Sequence, residues 1–212
     1  MKYLKLFEDF NDYDPYELMI TPPNKKGEMI IREINKLEPN LNLVSDLIVL
    51  GANVDWQDNV GSTALHWCAY KNRSEIARML IDAGADVNIQ EEYGTTALHR
   101  CADMNHPEIA RMLIDAGADL NIQHNDGWTA LYVGVYRNHP EITRMILDAG
   151  ADVNIQNNNG STALHYCAMW NRLEIARMLI NAGADKTVPN NNGKLPYEFA
   201  DDTQELKELL QP

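Results

Sequence analysis

Apolar residues return along most of this chain on a fixed beat. Ile76, Met79 and Leu80 stand at i, i+3 and i+4, and Ile109–Met112–Leu113, Ile142–Met145–Ile146 and Ile175–Met178–Leu179 repeat that spacing. Such a stripe lies on one face of a helix, so four amphipathic helices are predicted. Glu75, Glu108, Glu141 and Glu174 open them, where a helix N-terminus favours acids, and Gly84, Gly117, Gly150 and Gly183 close them. A shorter apolar run precedes each helix and starts behind Thr63, Thr96, Thr129 or Thr162. A threonine hydroxyl there caps orphan helix amides, and His66, His99 and His165, three residues on, can return a hydrogen bond as in a capping box. Asn72, Asn105, Asn138 and Asn171 end these runs, and asparagine tolerates the left-handed cap conformation.

The two helices form one unit, and the unit repeats. Gly61, Gly94, Gly127, Gly160 and Gly193 are each 33 residues apart, and the first four are followed by Ser-Thr-Ala-Leu-His or a close variant. Gly84-Ala85-Asp86-Val87-Asn88-Ile89-Gln90 returns from Gly117 and Gly150 and decays after Gly183. Period and text resemble the ankyrin family, whose signature is Thr-Pro-Leu-His before a small-residue helix. Alanine stands here where that family usually has proline. The resemblance implies an all-α ankyrin-repeat solenoid of helix-turn-helix units with hairpin-like loops. It places repeats at 58–90, 91–123, 124–156 and 157–189, a degenerate N-terminal cap at 25–57 and a C-terminal cap at 190–212. Residues 1–24 form an extension outside it.

The caps read as worn copies. Leu47, Ile48, Gly51, Ala52 and Asn53 align with Leu80, Ile81, Gly84, Ala85 and Asp86, but the turn glycine and Thr-x-x-His are missing. At the other end a helix is expected from Leu195, then a second with Leu206, Leu209 and Leu210, two residues short, with Asp201 and Asp202 replacing small or aromatic residues. Solenoids need polar ends to stop stacking. In the extension, Tyr3, Leu4, Phe7 and Phe10 fit one face of a short helix packing on the first repeat. The third repeat departs most, with Tyr132 for histidine and Gly134-Val135 for Cys-Ala, which looks like a volume swap within that pair. A helical glycine costs roughly 0.5–1 kcal/mol against alanine, so residues 124–156 are expected to be the weakest unit.

Charge narrows the function. Residues 1–57 carry 6 basic and 10 acidic groups, 58–189 carry 10 and 16, and 190–212 carry 2 and 5, so no basic stripe exists for phosphates and no nucleic-acid partner is expected. The net charge of −13 instead favours a partner with a basic surface. No apolar run is long enough for a membrane span, and Met1 to Phe10 has no apolar signal core. A cytoplasmic monomer is expected, in the host cytoplasm if the chain is viral.

Chemistry is set aside. Cys68, Cys101 and Cys167 pair in sequence with His66, His99 and His165, but equivalent residues of neighbouring repeats sit roughly 8–10 Å apart. That is too far for shared zinc ligation or a disulfide, so neither metal nor cofactor is expected and the thiols are read as buried packing. No triad converges and no phosphate loop appears, so no enzyme is expected.

The family binds proteins through its hairpin tips and the exposed side of each first helix. Carried over, the partner-binding residues are Tyr70, Lys71, Tyr93, Met104, Trp128, Tyr136, Arg137, Met169 and Trp170, a set rich in the types that anchor interfaces. Trp67 and Tyr166 count as packing. The resulting expectation is a protein–protein interaction module, an adaptor or an inhibitor, using its concave face. The rival is a small structural or regulatory component, of the kind used in viral counter-defence, recruited by an N-terminal peptide. Its Lys5-Leu6-Phe7-Glu8-x-Phe10 leader resembles those opening small tailed-phage proteins.

Overall fold

The computed structural model describes residues 14–200 and 204–211, so the expected helix around Leu4, Phe7 and Phe10, and Asp201 and Asp202, lie outside the described residues. Helices α1 (Pro15–Ile20), α2 (Pro23–Ile34) and α3 (Leu41–Val49) come first. Four pairs follow: α4 (Ala64–Lys71) with α5 (Ser74–Asp82), α6 (Ala97–Met104) with α7 (Pro107–Asp115), α8 (Ala130–Arg137) with α9 (Pro140–Asp148), and α10 (Ala163–Met169) with α11 (Leu173–Asn181). A 3-10 turn, Pro196–Phe199, and α12 (Gln204–Leu210) close the chain. First helices stack on first helices and second on second, giving two rows with the apolar core between them.

The threonine–histidine pairs hold this stack together. Thr63 N–H donates to His66 Nδ1 at 3.2 Å, and His66 Nε2 donates to the Thr95 carbonyl of the next repeat at 3.0 Å. His99 does the same between Thr96 and Trp128, and His165 between Thr162 and Lys194. One ring thus caps its own helix and anchors the following hairpin. The four asparagines adopt φ of 52–61°, the left-handed caps expected of them.

The third repeat is rebuilt rather than merely weakened. Tyr132 is buried, leaves Thr129 without a ring acceptor, and takes a hydrogen bond on its hydroxyl from Asn157 Nδ2 at 2.9 Å. The space at Gly134 is filled from α9: a Cβ there would lie 2.8 Å from Thr143 Oγ1. Thr143 stands where Ala77, Ala110 and Ala176 stand in the other repeats. The volume exchange therefore runs across the helix pair, not between Gly134 and Val135 alone.

Both ends depart from the expected register. α3 matches α5 residue for residue, but α2 begins at Pro23 and ends at Ile34, running through what is a hairpin in the inner repeats. Proline at the first helical position starts it early. Gly27 lets it pass close to the following loop, since a Cβ there would meet the Asn53 carbonyl at 2.4 Å and Trp56 Cβ at 2.6 Å. Lys26, buried, donates to the Leu50 carbonyl at the end of α3. At the C-terminal end, the helix expected from Leu195 is only the 3-10 turn, because leucine replaces the capping threonine and Glu198 alone receives the Leu195 amide, at 2.6 Å.

Candidate protein-binding face

The first helices and hairpin tips share a face, and its side chains come from columns of equivalent residues. At the hairpin base, Asp58, Asn157 and Asn190 each accept two backbone N–H bonds, from the second and fourth residues after them. His124 keeps one of these bonds, through Nδ1 to Asp126 N–H at 3.0 Å. Glu91, one carbon longer, turns to side chains instead: Ser62 Oγ donates to it at 2.8 Å, Thr95 Oγ1 donates also, and Arg100 pairs with it at 2.5 Å. Burial alone would raise the Glu91 carboxyl, but the Thr95 and Ser62 bonds and the Arg100 charge hold it below the usual range. Ser62, His66, Trp67, Tyr70 and Arg100 line a cavity of about 290 Å³ beside this network.

Further along, the rings join. Trp128 lies 4.6 Å from Tyr132, 5.1 Å from Tyr136 and 5.4 Å from Tyr166, between ring centroids, and His124 stacks on its far side at 5.8 Å. Tyr136 meets Trp170 edge to face at 6.3 Å. Offset and edge-to-face pairs like these are attractive beyond their buried area. The result is one aromatic cluster across the third and fourth repeats.

The sequence-derived residues divide within this geometry. Trp128, Tyr136 and Trp170 come together, with Tyr136 and Trp170 exposed and Trp128 half-buried at the centre. Trp128 therefore packs as well as presents a surface. Met104 and Met169 are exposed on the same helix row. Arg137 is exposed but pinned: it pairs with Asp103 of the preceding repeat, and its guanidinium lies 5.6 Å over the Tyr136 ring. Tyr70 sits apart against Trp67, with Lys71 exposed beside it, and Tyr93 is exposed on its hairpin tip.

Sequence reasoning passed over His124, Glu91 and Arg100, although each breaks its column of aspartate or asparagine, or of aromatic residues. Tyr166, read as packing, is half-buried and packs on Trp128, Tyr132 and Tyr136.

Burial raises all three cysteine thiols well above their ordinary range, with Cys101 adding to the effect at Cys68. Among the described residues no three His, Cys, Asp or Glu side chains converge on a position for a metal ion, and no helix is long and apolar enough to cross a membrane.

A family model described as Ankyrin repeats (3 copies) matches residues 34–124 and 116–190. A search of curated proteins finds no match. The matched span takes in all four helix pairs, the threonine–histidine caps and the aromatic face, and the chain belongs to the ankyrin-repeat family.

Proposed function

We propose that the chain is a non-enzymatic adaptor or inhibitor that binds a partner protein through the face of its first helices and hairpin tips. The observation that carries this reading is the aromatic cluster, where Tyr136 and Trp170 remain exposed around a packed Trp128. A solvated ring pair supported from beneath is a ready-made anchor, since it loses little freedom on binding. The chain acts as a monomer in the cytoplasm, a setting in which three unpaired thiols are at home. A basic partner surface is supported at long range. Asp82, Asp86, Asp115, Asp119, Asp148 and Asp152 lie exposed at the ends of the second helices and the turns after them, and speed the encounter rather than make the contact.

Pull-down with the wild type and with Tyr136→Ala/Trp170→Ala tests the face. A partner retained by the first and lost by the second, at equal melting temperatures, is the expected result. A stable variant that keeps its partner moves the site elsewhere. The second reading, recruitment through residues 1–24, draws on α1, where Tyr16, Met19 and Ile20 are exposed while Leu18 is buried. It requires Tyr16→Ser/Ile20→Ser, not the ring variant, to release the partner.

A further inference from the structure

We propose that the occupant of the aromatic face is an uncharged, proline-rich segment of the partner in the polyproline II conformation. This rests on the reading of that face as the binding surface, and it deepens that reading by naming the contact chemistry.

Charge is the first argument. Two arginines set among or beside the rings are neutralised from within the chain, Arg137 by Asp103 and Arg100 by Glu91. The cation–π position on Tyr136 is already filled by Arg137. A lysine or arginine from a partner would have to displace that guanidinium, and an acidic one would meet a guanidinium already paired. Complementarity at the contact therefore calls for an uncharged segment.

Hydrogen bonding selects among uncharged segments. The indole N–H groups of Trp128 and Trp170 and the Tyr136 hydroxyl have no intramolecular partner among the described residues. An apolar helix has spent nearly all of its carbonyls internally and offers these donors little. A β-strand needs an open backbone edge, and the first-helix row has its backbone bonded within helices. A polyproline II segment makes no internal hydrogen bonds, so every carbonyl is available to a donor.

Shape and register agree. Tyr136 and Trp170 meet at 86°, and Trp128 and Tyr136 at 62°, so the rings present an angled surface rather than a flat stack. Exposed aromatic surfaces accept proline rings. A polyproline II helix has 3 residues per turn, so residues three apart lie along one side of it. Prolines three apart therefore face the Tyr136 and Trp170 rings together.

Selection of a displayed random peptide library on the full chain tests this, followed by calorimetry of synthetic copies of the selected peptides. The expected sequences carry prolines spaced by three, have no net charge, and bind equally at low and high salt. Trp170→Ala lowers their affinity roughly thirtyfold, the loss common for a central aromatic anchor, with melting unchanged. Tyr136→Phe, which keeps the ring and removes only the donor, weakens them severalfold. Basic peptides with salt-dependent affinity, or proline-free leucine-rich helices, that still need Trp170 would overturn the proline proposal and leave the binding face standing. Peptides that bind Tyr136→Ala/Trp170→Ala as well as the wild type, or no selected peptide at all, would remove both.

Discussion

Each histidine of the capping columns holds a single proton in a fixed place. Nε2 donates to a carbonyl of the next repeat, so Nδ1 must stay bare to accept the threonine amide. Protonating Nδ1 sets one N–H against another. Burial opposes the charge as well: it holds His99 down to about 4, against the upward pull of its bond to the Trp128 carbonyl, and lowers His66 and His165 in the same direction. An unfolded histidine titrates near 6.5, so on acidification the unfolded chain takes up these protons first. The stability they confer is fully present above about pH 6.5 and is lost as the pH falls toward 4, up to roughly 3 kcal/mol for His99. Urea unfolding between pH 7 and pH 4 measures this, with His99→Gln as the control that flattens the pH dependence. Equal slopes for the two chains would refute the assignment.

Within single elements, the third repeat separates what was legible in the sequence from what was not. The loss of the histidine cap at Tyr132 reads directly from the column, and the structure bears out its local consequence: Thr129 N–H has no ring acceptor, unlike Thr63, Thr96 and Thr162. The compensation was not legible, because Asn157, Thr143 and Tyr166 are distant in sequence and only stacking brings them to Tyr132 and Gly134. The weakness is therefore expected to be greatest at the start of α8. In hydrogen exchange, Thr129 N–H should lose protection well before Thr96 N–H, while the bodies of α8 and α6 stay comparable. Equal protection of the two threonine amides would count against this. Helix α2 teaches the same lesson: the apolar match placed α3 correctly, but no periodicity signals that a helix begun at Pro22-Pro23 will run on through a hairpin position.

Over the whole molecule, the described repeats cohere mainly between neighbours, along ladders of similar couplings. Gln90 Nε2 donates to the Gly94 carbonyl at 2.7 Å and to the Gln123 carbonyl at 3.2 Å; Gln123 and Gln156 repeat the pattern with the units that follow. Beside them the hairpins join by backbone bonds, Glu92 to Val60, Asn125 to Tyr93, Asn158 to Asp126 and Asn191 to Asn159. Such an array needs its last unit as a lid. Removing residues 190–212 frees His165 Nε2 from the Lys194 carbonyl and uncovers the outer side of α10 and α11. The shortened chain should self-associate, which light scattering at increasing concentration checks; a monodisperse monomer of unchanged melting temperature would show that the cap is dispensable. The ladders also bear on inheritance. Because the couplings at each inner junction are alike, a gene duplication or deletion of one whole repeat leaves every rung a mate, and the chain can change length without relearning how to fold. The third and fourth repeats are the exception. Asn157 and Tyr132 form a hydrogen bond across their junction that no other junction repeats among the described residues, so a duplication that parts them breaks it and splits the aromatic face, and these two units should be passed on as a pair.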